Sequence, residues 1–395
     1  MLSGMKNFNY ANITRIVFGK GQIAKLPKLI PKNKQVLVTY GGGSIKRNGV
    51  YNQVMDALKD YSVTEFGGIE ANPDFDTVVK AVNVVKKMGV DNTFLLAVGG
   101  GSVADGTKFI AAASKYTATS DPWDMVTSGG KGIVGAVPLG CVMTLPATGS
   151  ESNNGAVLSR RKLNMKCAFN SQFLFPQFSI LDPETTMSLP TRQTANGVVD
   201  SFVHVCEQYL TVCLNADVQD RYSEALLNVL IDNGKLVMSN PHSYVARSNV
   251  MWAATQALNK WIAQGVVQDW ATHMIGHELT AYLGMDHART LACIQPRVLR
   301  FQFEDKMQKL AQMGNRVFGL PMGNVPSMAM KTVELIEDFY ENTMGTPTHI
   351  CQYKVGDDKK WIEEVVKKFT DQKVLLGENK KITPEVVGRI IEDSY

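Results

Sequence analysis

Short β-branched runs alternate with amphipathic stretches through the first half of the chain, and this alternation restricts the possible folds more than any other feature. The runs are Gln35–Tyr40 (QVLVTY), Ser62–Phe66 (SVTEF) and Thr93–Val98 (TFLLAV). Between them, Val50–Lys59 and Phe75–Met88 carry apolar residues at helical spacing. Strands separated by helices of this length predict βαβ units and a parallel sheet. From about Leu189 the strand signals fade. Helical patterns then cover Thr191–Thr211, Ala216–Met238, Tyr244–Ile262, Asp269–Leu283, Glu304–Phe318 and Ser327–Asn342. The chain is expected to divide near Pro190 into an α/β domain (1–189) and an all-α domain (190–395). Asn9–Phe18 (NYANITRIVF) reads as a strand or hairpin outside the main sheet. An exposed edge of that kind pairs readily with another chain, which predicts a homodimer through the N-terminal strand region.

Composition closes off several classes. The 395 residues carry 41 basic and 37 acidic side chains, a net charge of +4 that is too even to imply a nucleic-acid partner. No apolar run approaches the length of a membrane span. Met1 to Tyr10 lacks a charged leader followed by an apolar run, so no export signal is expected. Six cysteines are scattered without a C-x-x-C pair. They read as buried thiols in a reducing cytoplasm.

Glycine-rich loops follow two of the strands. Gly99-Gly100-Gly101-Ser102 stands between an apolar strand and a helix, where glycines let the backbone approach a pyrophosphate and the helix supplies free N–H groups. Ser102 could cap that helix, with Asp105 placed much as in a capping box. The alternative is a loop in which these residues only turn and cap. Neither G-x-G-x-x-G nor a P-loop lysine is present. The other loop, Gly41-Gly42-Gly43-Ser44, lacks the acidic residue that binds a ribose 2′-hydroxyl in many NAD enzymes. Ser44, Lys46 and Arg47 stand there instead, leaving room and positive charge for a 2′-phosphate. A third segment, Thr144 to Asn153 (TLPATGSESN), is dense in hydroxyls and could bind phosphate or ribose, or be an ordinary loop.

Metal-ligating residue types recur at helical spacing in the second half. Asp200 and His204 are four apart, as are His273 and His277, and each pair shares one helix face. His287 follows ten residues after His277. A straight helix would hold His273 and His287 about 21 Å apart, so both reach one ion only if the chain turns back, which Gly284 permits. One carboxylate with three imidazoles suits Zn²⁺ or Fe²⁺. The order His273-Met274…His277-Glu278 is not H-E-x-x-H, which argues against a metalloprotease.

With these pieces in place, the chain resembles the iron-containing (group III) alcohol dehydrogenase family, and within it the NADPH-dependent butanol dehydrogenase/aldehyde reductase branch. The resemblance rests on TYGGGSIK, FGGIEANP, LLAVGGGSVADGTKFIA, TLPATGSESNNGAV, LPTRQTANGVVDSFVH, MWAATQALN and QDWATHMIGHELTA. It implies a dinucleotide-binding α/β domain with a Rossmann-like parallel sheet, a helical domain, and a site in the cleft. It also implies that Asp200, His204, His273 and His287 are metal ligands. His277 then matches a histidine near the nicotinamide that is not a ligand. Gly100, Gly101, Ser102 and Asp105 match the cofactor loop, Gly42 and Ser44 the adenosine-phosphate end, and Asn72 another cofactor contact. Thr144, Thr148, Asn153, Gly155 and Lys166 match contacts around the nicotinamide ribose. The family's common NAD-type aspartate before Gly41 is missing, as its NADP branch would have it.

The expected activity is a metal-dependent, NADP(H)-linked reduction of short or medium aldehydes and its reversal on primary alcohols. NADP is favoured over NAD, with one Fe²⁺ or Zn²⁺, and His277 is the expected proton relay. The competing readings are a dehydroquinate-synthase-type lyase or cyclase that uses the nicotinamide transiently, a zinc hydrolase, and a non-catalytic metal- or nucleotide-binding protein.

Overall fold

A computed structural model describes residues 4–356 and 358–395. Six strands form one parallel sheet: β1 (Arg15–Phe18), β2 (Gln35–Tyr40), β3 (Val63–Phe66), β4 (Thr93–Gly100), β5 (Leu139–Leu145) and β8 (Phe178–Leu181). Their order is β1-β8-β5-β4-β2-β3. Strands β6 (Gly155–Arg160) and β7 (Met165–Asn170) make a separate antiparallel hairpin.

The strands read as near-continuous apolar runs because the sheet is buried on both faces. Leu37, Leu95, Ala97, Leu139, Cys141, Met143 and Leu181 pack into one core. Their alternates Val36, Val38, Phe94, Leu96, Val98, Val142 and Ile180 fill the other. Helices Val50–Ala57, Phe75–Met88 and Gly101–Ala113 are the crossover elements. Helix Phe75–Met88 is capped by the Asp74 side chain, which accepts from Asp76 N.

Asn9–Phe18 departs from expectation. Residues Arg15–Phe18 enter the main sheet as its edge strand, in parallel register with β8. The alternation in this segment is too short to distinguish an added edge strand from a separate hairpin.

The chain forms two compact units. One contains Ala11–Pro190 with His242–Asn259, and the other contains 4–10, Thr191–Pro241 and Lys260–Tyr395. Helix Tyr244–Ala257, read from sequence as part of the helical half, therefore groups with the sheet. The Thr255 hydroxyl on it donates to buried Glu151 of the α/β unit, at 2.5 Å. The helical unit holds Thr191–Tyr209, Asp217–Ser239, Ala271–Leu283, His287–Phe301, Phe303–Arg316 and Val325–Asp338, followed by Lys360–Asp371 and Pro384–Asp393. Among the described residues, no helix is long and apolar enough to cross a membrane. All six cysteines are free thiols, but the expected burial holds only in part: Cys141, Cys206 and Cys293 are buried, Cys167 is half-buried, and Cys213 and Cys351 are exposed.

Candidate active site

Because β3, β2, β4 and β5 run parallel and adjacent, the loops after them leave the sheet along one edge. Tyr40 is level with Val98, and Gly100 with Leu145. Gly42 and Ser44 follow β2, Asn72 follows β3, and Gly100 to Asp105 span the end of β4 and the start of the next helix. Thr144 is on β5, and Thr148 lies in the loop after it. Ligands of open parallel sheets bind outside the strand carboxyl ends, and this edge collects most of the residues singled out for the cofactor.

The tightest point is Gly101. A Cβ built there would lie 2.2 Å from Thr148 Oγ1 and 2.4 Å from its Cγ2, so only glycine fits. Helix Gly101–Ala113 starts at this residue with no side-chain cap. The capping arrangement expected of Ser102 and Asp105 is not formed. Ser102 Oγ accepts from Asn72 N at 3.1 Å, tying the β3 and β4 loops together. The Asp105 carboxylate is buried and accepts from Ser150 Oγ (2.6 Å) and Val157 N (3.0 Å). Burial pushes its pKa up, opposed by the Lys108 charge.

Lys108 went unnoticed in the sequence. It is fully buried, and its ammonium donates to Asn153 O (2.9 Å), Asn153 Oδ1 (3.1 Å) and Gly155 O (2.7 Å). Asn153 Nδ2 donates to Gly149 O at 2.9 Å and Leu258 O at 3.1 Å, and its Oδ1 accepts from Gly155 N at 2.9 Å. A lysine inside the otherwise apolar turn TKFIAAA was the available signal, since a charge there must be paired. Lys166 is buried on β7, level with Ser159 of β6.

At the β2 loop, Lys46 is engaged by the protein. Its Nζ lies 3.2 Å from Glu65 Oε2 and over the rings of Tyr40 and Tyr51. Tyr40 and Tyr51 also donate to Glu65, at 2.9 Å and 2.5 Å. Arg47 is exposed beside it.

The second cluster lies within the helical unit. Asp200 and His204 project from Thr191–Tyr209, and His273 and His277 from Ala271–Leu283. That second helix ends at Gly284, in the left-handed conformation (φ 67°), and the next begins at His287. The chain thus turns back as the sequence required. Gly276 lets these two helices approach, since a Cβ there would lie 2.7 Å from Thr290 Oγ1. Asn196, one turn before Asp200, donates to Asp286 at 3.0 Å and ties the start of the His287 helix to the Asp200 helix.

The outcome is three imidazole Nε2 atoms around one carboxylate oxygen. His204, His273 and His287 lie 3.6, 3.7 and 3.6 Å from Asp200 Oδ1. These separations exceed hydrogen-bond length. They suit a shared ion, for metal–ligand bonds of about 2.1 Å in a tetrahedron put neighbouring donors about 3.4 Å apart. Asp200, His204 and His273 are all buried, with ligand atoms within 4.8 Å of one another. His273 Nε2 is buried without a hydrogen-bond partner among the described residues. A buried nitrogen held in that state fits a metal ligand. His277 stands beside the group, its ring 5.4 Å from that of His287 and 6.4 Å from that of His273.

Glu207, another residue missed in the sequence, lies behind His273. Its Oε2 meets His273 Nδ1, and its Oε1 accepts from Thr272 N (2.7 Å) and His273 N (3.3 Å). Burial pushes the Glu207 carboxyl up, opposed by His273. For the His273 ring, burial opposes protonation, but Glu207 and Asp200 outweigh it and raise the pKa to about 9.

The arrangement has relatives. Residues 13–183 match the model of the iron-containing alcohol dehydrogenases, and 194–395 that of the C-terminal part of the same family. The chain belongs to the iron-containing alcohol dehydrogenase family. It is 51% identical to the NADPH-dependent aldehyde reductase YqhD of Escherichia coli, over 98% of this chain and 99% of that one. It is 40% identical to the NADP-dependent alcohol dehydrogenase 3 of Entamoeba histolytica, over 99% and 100%. The crystal structure of YqhD superposes with a TM-score of 0.96 at 49% identity, covering all of both chains. That of an NADH-dependent butanol dehydrogenase A from Thermotoga maritima gives 0.92 at 31% identity, over 99% of each. This membership agrees with the family, and with the fold of a parallel-sheet unit followed by a helix-rich part, to which the sequence motifs pointed.

Proposed function

We propose that the chain is a metal-dependent, NADP(H)-linked aldehyde reductase and alcohol dehydrogenase acting on short or medium aldehydes and primary alcohols. The observation that carries this is the convergence of three imidazoles on Asp200 Oδ1 in a chain whose other compact unit is a parallel sheet with glycine-rich loops. Family membership supports it throughout its length. When bound, a divalent Fe²⁺ or Zn²⁺ supplies Lewis acidity toward the carbonyl oxygen, and the nicotinamide supplies or takes the hydride.

The chain's own residues do the rest. Asp200, His204, His273 and His287 hold the metal, and with one carboxylate and three neutral rings they leave it a net positive charge. The 1–189 region binds the dinucleotide and 190–395 carries the metal. Gly100, Gly101 and the open N-terminus beyond them receive the pyrophosphate. Gly42, Ser44 and Asn72 line the adenosine end, where the missing acidic residue favours NADP. Thr144, Thr148, Asn153, Gly155 and Lys166 would serve the nicotinamide ribose and Ser102 and Asp105 the cofactor loop, whose shape Ser102, Asp105 and Asn153 also hold through the bonds described above. His277, whose ring lies beside those of His273 and His287, would supply the proton that the substrate oxygen takes up on reduction. The protein works in the cytoplasm, where thiols such as the exposed Cys213 and Cys351 stay reduced. It forms a homodimer in which β1, the sheet's edge strand, meets its copy.

The test is NADPH oxidation against a panel of short aldehydes, with and without a chelator, with metal content measured in the same sample. Aldehyde-dependent oxidation that is lost with the metal and regained on its return is expected. Turnover indifferent to the chelator in metal-free protein would overturn the reading.

A further inference from the structure

Buried groups that take no part in the metal cluster tie together the helix segments that carry it. Glu207 is the most telling. It is on the same helix as Asp200 and His204, seven and three residues on, so all three share one face. Its carboxylate spans the start of the neighbouring helix: Oε1 takes the N–H groups of Thr272 and His273, and Oε2 takes His273 Nδ1. Backbone and ring of one residue are therefore clamped by a single side chain.

That clamp has a chemical consequence. An imidazole offers its Nε2 lone pair to a cation only when the ring proton is on Nδ1. A carboxylate has only acceptors, so it keeps the proton on Nδ1 and leaves Nε2 bare. That bare nitrogen is the one directed at Asp200 Oδ1.

The clamp is itself braced. Glu207 O accepts from Asp269 N at 2.9 Å, and Asp269 Oδ1 accepts from Ala271 N at 2.9 Å at the head of the His273 helix. Asp269 Oδ2 lies 3.0 Å from the buried Lys306 ammonium. Lys306 also donates to Leu210 O at 2.6 Å and Glu378 Oε2 at 2.7 Å.

We propose that Glu207 is the positioning residue that sets the affinity of this cluster for its metal, by fixing the tautomer and direction of His273. The proposal rests on the metal reading above. Partners of this kind contribute 10- to 100-fold to metal affinity in sites of known function.

Glu207→Gln tests it, since an amide cannot satisfy both clamped donor sets. Its oxygen can serve the backbone N–H groups or the ring Nδ1–H, and its NH₂ faces the other. If the NH₂ faces the ring, the proton is driven to Nε2, where it blocks the metal. The expected result, by competition between the protein and a chelator for Zn²⁺ or Co²⁺, is a dissociation constant raised roughly 10- to 100-fold. The visible spectrum of the Co²⁺ protein should change with it. In protein saturated with metal, kcat should fall while KM for NADPH stays unchanged. The melting temperature of metal-free protein serves as the check on folding. If E207Q fails to fold, Glu207→Asp keeps the charge but draws the carboxylate back from the ring, and metal affinity should fall there too. A metal dissociation constant within about twofold of wild type, in a folded Gln or Asp variant, would overturn the proposal. Asp200→Asn separates the two readings: if it too binds metal as wild type does, the metal site itself is wrong, whereas its loss beside an unaffected E207Q refutes only the role of Glu207.

Discussion

In the proposed cofactor site single residues carry the choice between NADP and NAD, and Gly42 offers a clean handle on it. Its backbone is not left-handed, and a Cβ built there meets nothing within 4 Å. Gly41 is tighter, with Ile69 O at 3.1 Å. Gly42→Asp should therefore fold normally and act through charge alone. A carboxylate several ångströms from a 2′-phosphate in an exposed setting costs about 1–2 kcal/mol. KM for NADPH should rise roughly tenfold, with KM for NADH little changed. An equal change for both cofactors would show that the 2′-phosphate does not bind there. That Asp200 and His204 lie together on one helix face was readable in the sequence, because chemistry and spacing coincide there. Glu207 and Lys108 were not read, because a lone charged residue on a helix looks like a solvated one until its partners are known. The spacing of Glu207 from Asp200 would have placed it on the same face, and that much was available.

Elements set how closely the ligands meet. Helices Ala271–Leu283 and His287–Phe301 bring His273 and His277 beside His287, and at Gly276 the second helix packs directly against the first. In Gly276→Ala the new methyl would lie 2.7 Å from Thr290 Oγ1 and 3.0 Å from Leu291 Cδ2. The Thr290 and Leu291 side chains, or the helix that carries them, must shift, a form of overpacking that costs about 1–3 kcal/mol. A lowered melting temperature together with weaker metal retention is expected. Unaltered metal retention would mean that His287 tolerates the displacement. Most long elements were readable. Phe75–Met88 matches its pattern at both ends, and Thr191–Tyr209 begins where expected. Helix His287–Phe301 was not anticipated because Pro296 lies inside it, where proline ordinarily argues against a helix. Strands β5 and β8 were passed over because four to seven buried residues have no period of their own. The edge placement of β1 depends on Phe178–Leu181, some 160 positions along the chain, and nothing local encodes it.

At the scale of the whole molecule, hydrophobic period switches near Pro190, but it does not show that His242–Asn259 groups with the sheet-bearing unit. Long-range polar ties do not show in period at all, and the group around Lys306 is the clearest case. Leu210, Asp269, Lys306 and Glu378 come from four separate segments and meet around one buried ammonium. For Asp269, burial works against ionisation, but Lys306 and the Ala271 N–H hold its carboxyl below the ordinary range. For Glu378, burial dominates and, with Asp269 adding to it against the opposing Lys306 charge, raises the pKa from 4.5 to about 7. The folded chain then binds a proton there that the unfolded chain releases. Between about pH 4.5 and 7 the native state carries more protons, so stability falls as pH rises through that window. A shift of that size corresponds to about 3 kcal/mol for a side chain with no exposure. Glu378→Gln mimics the protonated acid and cannot titrate. Urea unfolding of both proteins across pH 4–8, at fixed metal content, should show the variant gaining on wild type by about 2–3 kcal/mol from pH 4.5 to 7, whatever its absolute stability. Parallel pH profiles would mean that Glu378 is already ionised at pH 5, and that Lys306 outweighs burial.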